Sequence, residues 1–341
     1  IKNHVYLQIQ ETSKKNNMKK LINITNYRDD LLRYQNADDI NDMTKKYGLD
    51  GLEVMPSSKE QLYRFLDGQV VGVHMCCQPD WLDLWNNDMD ALNREYGSPD
   101  VWKSVFHGNT RDVLLQNARE DLEYARAHQA QYVVFHICNV RTTDILTNEF
   151  SYSDKDVILA SAQLINELLS DYTDTPFYFL MENLWWPGLR MTDPALTKLL
   201  LDLVEYPKKG IMLDLGHFLH TNNSIRTQSE GVAYIRQMLL AHRELLSFIK
   251  GVHLHQTLSG EYVENYLRSH PYVPSDYNER FMKSMYHVLA IDSHEPFTDP
   301  AIRGIISEIS PEFLTLEFIS RDRSEHEDKI REQIDALKGL C

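Results

Sequence analysis

The sequence predicts an α/β protein, a single-domain (β/α)8 barrel, from three observations. Short apolar runs alternate with longer amphipathic stretches, which is the pattern of parallel βαβ units. There are eight such runs, the number of strands that closes a barrel. The chain has 341 residues, 43% of them hydrophobic, and barrels commonly reach this size as one domain. A doubly wound open sheet is the alternative, but no Gly-x-Gly-x-x-Gly or phosphate-loop motif follows a strand.

The elements are predicted from these runs in chain order. The strands are Leu21–Thr25, Gly51–Met55, Val70–Cys76, Tyr132–Ile137, Phe177–Asn183, Ile211–Leu215, Lys250–His255 and Phe313–Phe318. The amphipathic stretches predict helices over Thr110–His128, Lys155–Ser170, Pro194–Val204, Glu230–Ser247, Pro300–Ile309 and Glu325–Leu337. Asp193 and Asp299 each precede a proline, so each is expected to cap a helix whose first turn contains that proline. Residues 1–17 are polar and aperiodic and are expected to form an N-terminal extension, with the barrel over 18–341.

Charge and composition disfavour several classes of partner. The formal net charge is -15, from 50 acidic against 35 basic residues, so nucleic acid bound through its phosphates is not expected. No apolar run approaches the roughly 20 residues needed to cross a bilayer, so no membrane partner is expected. The four cysteines lack the spacing of a disulfide framework. These features predict a cytoplasmic protein.

Polar residues interrupt six of the apolar runs near their carboxyl ends. In a barrel these ends meet at one mouth, where active sites are built. Each residue alone could be a satisfied buried histidine or a paired carboxylate, but six at one level predict a shared site. Neutral imidazole mixed with carboxylate suits zinc, manganese, cobalt or iron, whereas an all-oxygen set would indicate magnesium or calcium. The six residues are His74, His136, Glu182, Asp214, His253 and Glu317.

The run Ile211–His217 ends in Asp-Leu-Gly-His. An unpaired charge on a buried strand is costly, so Asp214 requires a compensating partner, and a divalent metal is one. Gly216 would let the backbone turn so that His217 faces the same site. The alternative is that Asp214 ends the strand in a solvated turn and caps the next element.

Seven segments together resemble the xylose isomerase-like TIM-barrel superfamily, which contains sugar and sugar-phosphate isomerases and epimerases and also the endonuclease IV-like enzymes. The resemblance covers roughly Met18 to Leu337 and depends on the order and strand placement of the residues. The segments are Gly51-Leu-Glu-Val, Gly72-Val-His-Met, Val134-Phe-His, Met181-Glu-Asn, Leu213-Asp-Leu-Gly-His217, Gly251-Val-His-Leu-His255 and Leu316-Glu-Phe.

The resemblance implies a set of metal ligands. In the epimerases, the residues that match Glu182, Asp214, His253 and Glu317 bind one divalent metal, and the residue that matches His217 contacts substrate. In the endonuclease IV-like branch, positions resembling His74, His136, His217 and a later Asp-x-His pair add ligands. Here that pair would be Asp292 and His294, which follow a much longer insertion than in the nuclease pattern. The expected cofactor is therefore a divalent metal, with one to three ions.

The resemblance implies two alternative reactions. A third possibility is a barrel that catalyses no reaction. The leading hypothesis is a metal-dependent isomerase or epimerase of a small sugar or sugar derivative, with Glu182 and Glu317 as the acid/base pair and His217 as a further catalytic residue. The alternative is a metal-dependent phosphoester hydrolase, in which clustered metals would use the extra histidines. A barrel that binds sugar without turning it over is the third.

Several residues near the mouth are candidates for binding substrate, which is expected to be a small sugar or sugar phosphate. Aromatic rings stack on sugars, and an arginine can grip a phosphate or carboxylate. The connection from Thr257 to Ser293 could be a lid, a binding surface or a contact in a homo-oligomer. Histidines away from the strand ends, including His220 and His287, are expected to be structural or solvated. The substrate-binding candidates are Trp81, Trp185, Trp186, Arg190 and His255.

Overall fold

The structure is a computed structural model that describes residues 18–57, 62–76, 78–174 and 176–340. The extension expected over residues 1–17 lies outside the described residues. Eight parallel strands pair in sequence order, and the last pairs with the first, which confirms the (β/α)8 barrel. The strands are β1 Lys19–Thr25, β2 Gly51–Met55, β3 Val70–His74, β4 Tyr132–His136, β5 Tyr178–Glu182, β6 Lys209–Asp214, β7 Ile249–Leu254 and β8 Phe313–Leu316.

Each predicted strand is present, with ends that differ by at most two residues. The predicted runs overshoot mainly at the carboxyl end, where apolar residues continue past the last ladder pair. Met75 illustrates this, because it is buried and its N–H still donates to the carbonyl of Val134 after β3 has ended. Hydrophobicity alone therefore does not mark the point where a strand leaves the barrel.

Fifteen α-helices lie in the described ranges, mostly packed around the outside of the barrel. They are α1 Arg28–Leu31, α2 Ala37–Lys46, α3 Leu82–Trp85, α4 Met89–Tyr96, α5 Pro99–Phe106, α6 Asp112–Ala127, α7 Thr142–Thr147, α8 Asp154–Leu169, α9 Pro194–Leu203, α10 Leu215–Leu219, α11 Gln228–Ala241, α12 Gly260–Arg268, α13 Tyr277–Ile291, α14 Ile302–Ile309 and α15 Arg323–Ala336. None of these helices is long and apolar enough to cross a bilayer.

Two helix predictions need correction at their ends. The helix predicted to reach Ser247 ends at Ala241, because the chain then makes tight turns and a short 3-10 helix before β7. Asp193 caps α9 as predicted, accepting from the N–H of Ala195 at 2.8 Å. Asp299 likewise accepts from Ala301 at 2.9 Å, but its proline lies in a preceding turn and α14 begins only at Ile302.

The register of the strands places the residues of the mouth at the same level along the barrel axis. Its lower layers are apolar side chains, including Val134, Leu180 and Met212. Above them, His136 pairs in register with Glu182, and Asp214 pairs with His253. Because all eight strands are parallel, these residues share one end of the barrel. The connection between β7 and β8, which contains α12 and α13, returns to the same end.

Candidate metal centre

A first group of ligand atoms lies where β3, β4 and β5 end. His74 Nε2 is 3.1 Å and His136 Nε2 is 3.2 Å from the same oxygen, Glu182 Oε2. The other nitrogen of His74 lies 3.0 Å from the backbone carbonyl of Met75, which orients the ring toward the carboxylate. Two strand-end histidines and one carboxylate, from three different strands, thus converge on one point.

A central group surrounds His253. Its Nδ1 lies 3.2 Å from Glu182 Oε1, 3.1 Å from Glu317 Oε2 and 3.6 Å from Asp214 Oδ2. Glu182, Asp214 and His253 are fully buried and Glu317 is 8% exposed. One ligand atom from each of these four residues lies within 4.8 Å of the others. Glu182 therefore belongs to two groups, with one oxygen in each.

A third group forms where the long insertion returns to the mouth. Asp292 Oδ2 lies 3.2 Å from His217 Nε2 and 2.9 Å from His294 Nε2. The ring of His255 stacks on that of His294, with centroids 3.8 Å apart and planes 5° from parallel. The structure thus brings Asp292 and His294 beside His217, and it adds the fully buried His255, which the sequence assigns to substrate binding.

The turn after β6 positions one residue of the central group and one of the third group. Asp214 Oδ1 accepts from the N–H of His217 at 2.6 Å and caps α10, while Oδ2 lies 2.8 Å from His255 Nε2. Asp214 is therefore both a helix cap and a residue of the site. Gly216 is required sterically, because a Cβ there would lie 2.0 Å from the His255 ring.

Charges within the central group and around it strongly shift the pKa values of Glu182 and His253. Burial alone would raise the pKa of the Glu182 carboxyl, but the charges of His136 and His253 outweigh it and hold that pKa well below its usual range. Burial alone would lower the pKa of His253, but the carboxylates of Glu317 and Glu53 outweigh it and raise that pKa well above its usual value. In the metal-free protein, protons on the imidazoles therefore balance the buried carboxylates.

The third group has the same electrostatic character. Burial lowers the pKa of His294, but the carboxylate of Asp292 more than reverses this and raises the pKa to about 9. The pKa of Asp292 is held well below its usual range, because the charges of His294 and His217 outweigh the effect of burial. A divalent cation could replace these protons, since both it and they neutralise the same carboxylates.

Unsatisfied atoms in the central group fit such a cation. Glu317 Oε2 is buried and lies 3.1 Å from His253 Nδ1, yet it makes no hydrogen bond among the described residues. Buried polar atoms are rarely left unsatisfied without a ligand, a water or a strained role. Mixed imidazole and carboxylate donors in sets of three or four suit zinc and its neighbours. The residues present therefore fit a metal centre.

Three residues that support these groups were not assigned from the sequence. Glu53 on β2 lies 2.9 Å from His253 Nε2 and also accepts from Tyr132 and Thr315. His220 Nε2 lies 3.1 Å from Asp292 Oδ1, and Asn183 exchanges two hydrogen bonds with the backbone of Asp214. A signal existed for Glu53, as a lone carboxylate within the buried run Gly51–Met55, but it lies at mid-strand rather than at the strand end.

Replacing Glu53 with glutamine is expected to lower zinc affinity by roughly 10- to 100-fold, the usual effect of losing an outer carboxylate that orients a ligand histidine. The amide keeps the side-chain volume but no longer supplies a charge opposite His253. Competition with a chromophoric chelator measures the affinity. The matched control is Glu312→Gln, since Glu312 pairs with Lys250 on the surface. An unchanged affinity in Glu53→Gln would remove Glu53 from the site.

Four of the five predicted substrate residues line two cavities, and the fifth, His255, belongs to the third group. Trp185 lies against His217 and His220, with ring centroids 5.2 and 5.0 Å apart, and Trp186 packs on Trp185 at 4.4 Å. Both tryptophans and Arg190 line a cavity of about 140 Å³ beside the third group. The guanidinium of Arg190 is already paired, at 2.9 Å, with Asp154.

The second cavity, of about 520 Å³, opens beside His136. Trp81 forms part of its wall but is only 5% exposed, and its indole N–H donates to the carbonyl of Cys138 at 2.8 Å. Asp121 and Glu120 also line it, and burial raises the pKa of Asp121 to about 7. Among the described residues, no lysine or arginine lines this cavity.

Comparisons with known proteins show the fold. Neither protein-family models nor curated proteins match the sequence. Solved structures do match, among them a D-tagatose 3-epimerase-like protein, with 11% identity, 94% of this chain and 98% of that chain covered, and a TM-score of 0.50. Endonuclease IV from Thermus thermophilus matches with 14% identity, coverage of 94% and 99%, and a TM-score of 0.51. These matches show the fold alone: this chain has the same kind of barrel as an epimerase-like protein and an endonuclease.

Proposed function

We propose that this chain is a metal-dependent phosphoester hydrolase with a multinuclear centre. The observation that supports this most directly is the bridging position of Glu182. Its Oε2 faces His74 and His136, while its Oε1 lies 3.2 Å from His253 Nδ1 and 3.3 Å from His217 Nδ1. A shared carboxylate suits two ions about 3.5–4 Å apart, the arrangement of two-metal hydrolases.

The same contacts weaken the leading sequence hypothesis. An isomerase or epimerase needs a base whose pKa is near the working pH. Glu182 has four imidazoles around its two oxygens, and its pKa is held well below the usual range. Proton exchange between Glu182 and Glu317 has no use for His74 and His136, whereas a carboxylate that bridges two ions does, so these contacts favour hydrolysis.

In this proposal, some residues of the protein would hold the metal ions, and others would limit the access of water to them. When bound, clustered divalent ions supply a nucleophile at neutral pH and balance the negative charge of a phosphate. Glu182 holds the first and central groups together, and Asp292 holds the third group through His217 and His294. Trp185 covers His217 and His220 on the side of the smaller cavity, which limits the access of water there.

The cavities indicate a small substrate with an uncharged polar body. The 520 Å³ cavity beside His136 has polar and aromatic walls but, among the described residues, no lysine or arginine to bind a second phosphate. The net charge of -15 also disfavours a nucleic-acid backbone. The proposed substrate class is therefore a monophosphate or phosphodiester of a small sugar or polyol.

Isomerisation or epimerisation of a sugar is a second candidate. Only the central group supports this candidate. In the resemblance to the epimerases, its four residues correspond to the ligands of a single metal ion. Glu317 Oε2, which makes no hydrogen bond among the described residues, is one of the atoms that could face such a metal.

An assay on the zinc- and manganese-loaded protein tests the two chemistries side by side. The panel is a set of sugar phosphates, bis(p-nitrophenyl) phosphate, a duplex with an abasic site, and ketoses in deuterium oxide. We expect phosphate release or phosphodiester cleavage, little action on the duplex, and no deuterium in recovered ketoses. Deuterium beside the carbonyl without hydrolysis would establish the second candidate, and brisk cleavage of the duplex would contradict the proposed substrate class.

A further inference from the structure

Helix α13, in the insertion between β7 and β8, has its apolar side toward solvent. We call this side the α13 face. The exposed fractions of its side chains range from 40% to 69%. They recur at spacings of one and four residues, which places them on one stripe of the helix. The α13 face consists of Phe281, Met282, Met285, Tyr286 and Leu289.

The buried side of the same helix is polar and fixed in place. Arg280 Nε donates to Thr142 Oγ1 at 2.8 Å, and its Nη1 donates to the carbonyl of Pro274 at 3.0 Å. His287 Nδ1 lies 2.9 Å from the hydroxyl of Tyr262. Turning α13 to bury its apolar side would break these contacts and expose their buried partners. These contacts fix the orientation of α13, so the α13 face stays on the surface of the monomer.

We propose that the α13 face is the contact between two copies of this chain, paired about a twofold axis near Met285. Met285 lies at the centre of the stripe, with Phe281 four residues before it and Leu289 four residues after it. In an antiparallel pair, Phe281 of one copy therefore packs against Leu289 of the other, and the two Met285 side chains meet. Such a self-complementary contact closes after two copies.

The exposed area fits a dimer contact. At about 200 Å² for a whole side chain of this size, the α13 face and the neighbouring Tyr272, which is 67% exposed, offer roughly 600 Å². Contiguous apolar patches on monomers are mostly smaller than this or functional. A standard interface buries about 800 Å² on each partner, so this face and a polar rim reach that size.

Charge also favours a second copy over a membrane. Two chains of net charge -15 repel each other, so they associate best where carboxylates are missing. From Arg280 to Ile291 the sequence contains no acidic residue. Helices that bind anionic membranes carry several lysines or arginines on the polar face that adjoins the apolar one. Here Arg280 is buried, and the ammonium of Lys283 donates to the carbonyl of Tyr272.

Sedimentation velocity of the full chain at roughly 1 to 100 μM tests the proposal. We expect a species of twice the 39.9 kDa chain mass. Met285→Glu and Met285→Lys should each be monomeric, because each places two like charges at the axis. An equimolar mixture of the two variants should regain the dimer, because unlike charges then meet there. Leu240→Glu is the matched control, since Leu240 is 66% exposed on α11, away from this face, and should leave the mass unchanged.

Several results would contradict the proposed dimer. A wild-type monomer throughout the range would overturn the proposal, and so would a dimer that both Met285 variants retain. If both variants are monomeric and their mixture fails to pair, the two Met285 side chains do not face each other, and the twofold arrangement is overturned. Binding of the wild type to vesicles rich in anionic lipid, strengthened by Met285→Lys, would show a membrane surface instead. Circular dichroism and melting temperature of each variant establish that it is folded.

Discussion

Glu182→Gln is expected to lower hydrolytic activity by more than roughly 100-fold, because a change in an outer partner of a ligand already costs about 10- to 100-fold. Glutamine keeps the shape of the side chain but removes the charge shared by the first and central groups. Zinc stoichiometry should fall as well, since neither His74 with His136 nor His253 retains its bridging carboxylate. Elemental analysis after dialysis and the steady-state rate on the best substrate of the panel measure the two effects.

The control for this change is Glu167→Gln, which alters an exposed glutamate paired with Arg111. That variant should keep both zinc content and rate. If Glu182→Gln retains full zinc content and loses only proton exchange on a ketose, Glu182 is a general base and the epimerase candidate replaces the hydrolase. If it changes neither property, the bridging role is wrong.

The metal-free protein is expected to lose about 3 kcal/mol of unfolding free energy between pH 6.5 and pH 9. His294 has a pKa of about 9 in the folded state against 6.5 in the unfolded chain, because Asp292 holds its proton more strongly than burial opposes it. A raised histidine pKa gives stability that is fully present below pH 6.5 and is lost as the pH rises through 9. The pKa values of His217 and His253 are shifted in the same direction.

Zinc-loaded protein should behave in the opposite way. Metal binding requires neutral imidazoles, so zinc affinity and the stability it adds increase with pH. Guanidinium unfolding at several pH values, with and without a chelator, measures both trends. His294→Asn should make the metal-free profile shallower between pH 6.5 and 9, leaving the part that His217 and His253 contribute. A metal-free profile that is already flat in the wild type would contradict the ion pairing in the third group.

Local pattern was sufficient to predict the barrel and six of its mouth residues. Each of the eight strands is a short apolar run, and hydrophobic periodicity depends only on neighbouring residues. A histidine or carboxylate that interrupts such a run near its end is equally visible in the sequence, as with His136 and Glu182. Because parallel strands bring their carboxyl ends together, strand order alone then implied that these side chains converge.

Contacts between distant elements could not be derived from the same pattern. Glu53 lies on a strand predicted correctly, but its partner His253 is 200 residues away. Arg190 is a candidate for holding a substrate anion, and only the tertiary structure, which brings the loop after β5 to the start of α8, shows that Asp154 is already paired with it. His220 was expected to be structural or solvated, because no local signal reveals that Asp292 would lie beside it.

The sequence by itself determined the fold and which residue types face the mouth, because both follow from the periodic burial of side chains along each strand. The tertiary structure alone decided how those residues are grouped. The return of the insertion places Asp292 and His294 beside His217, and the two oxygens of Glu182 join two sets of histidines. The physical reason is that grouping depends on distances of a few ångströms between residues far apart in the chain, whereas periodicity records only which side of an element each residue occupies.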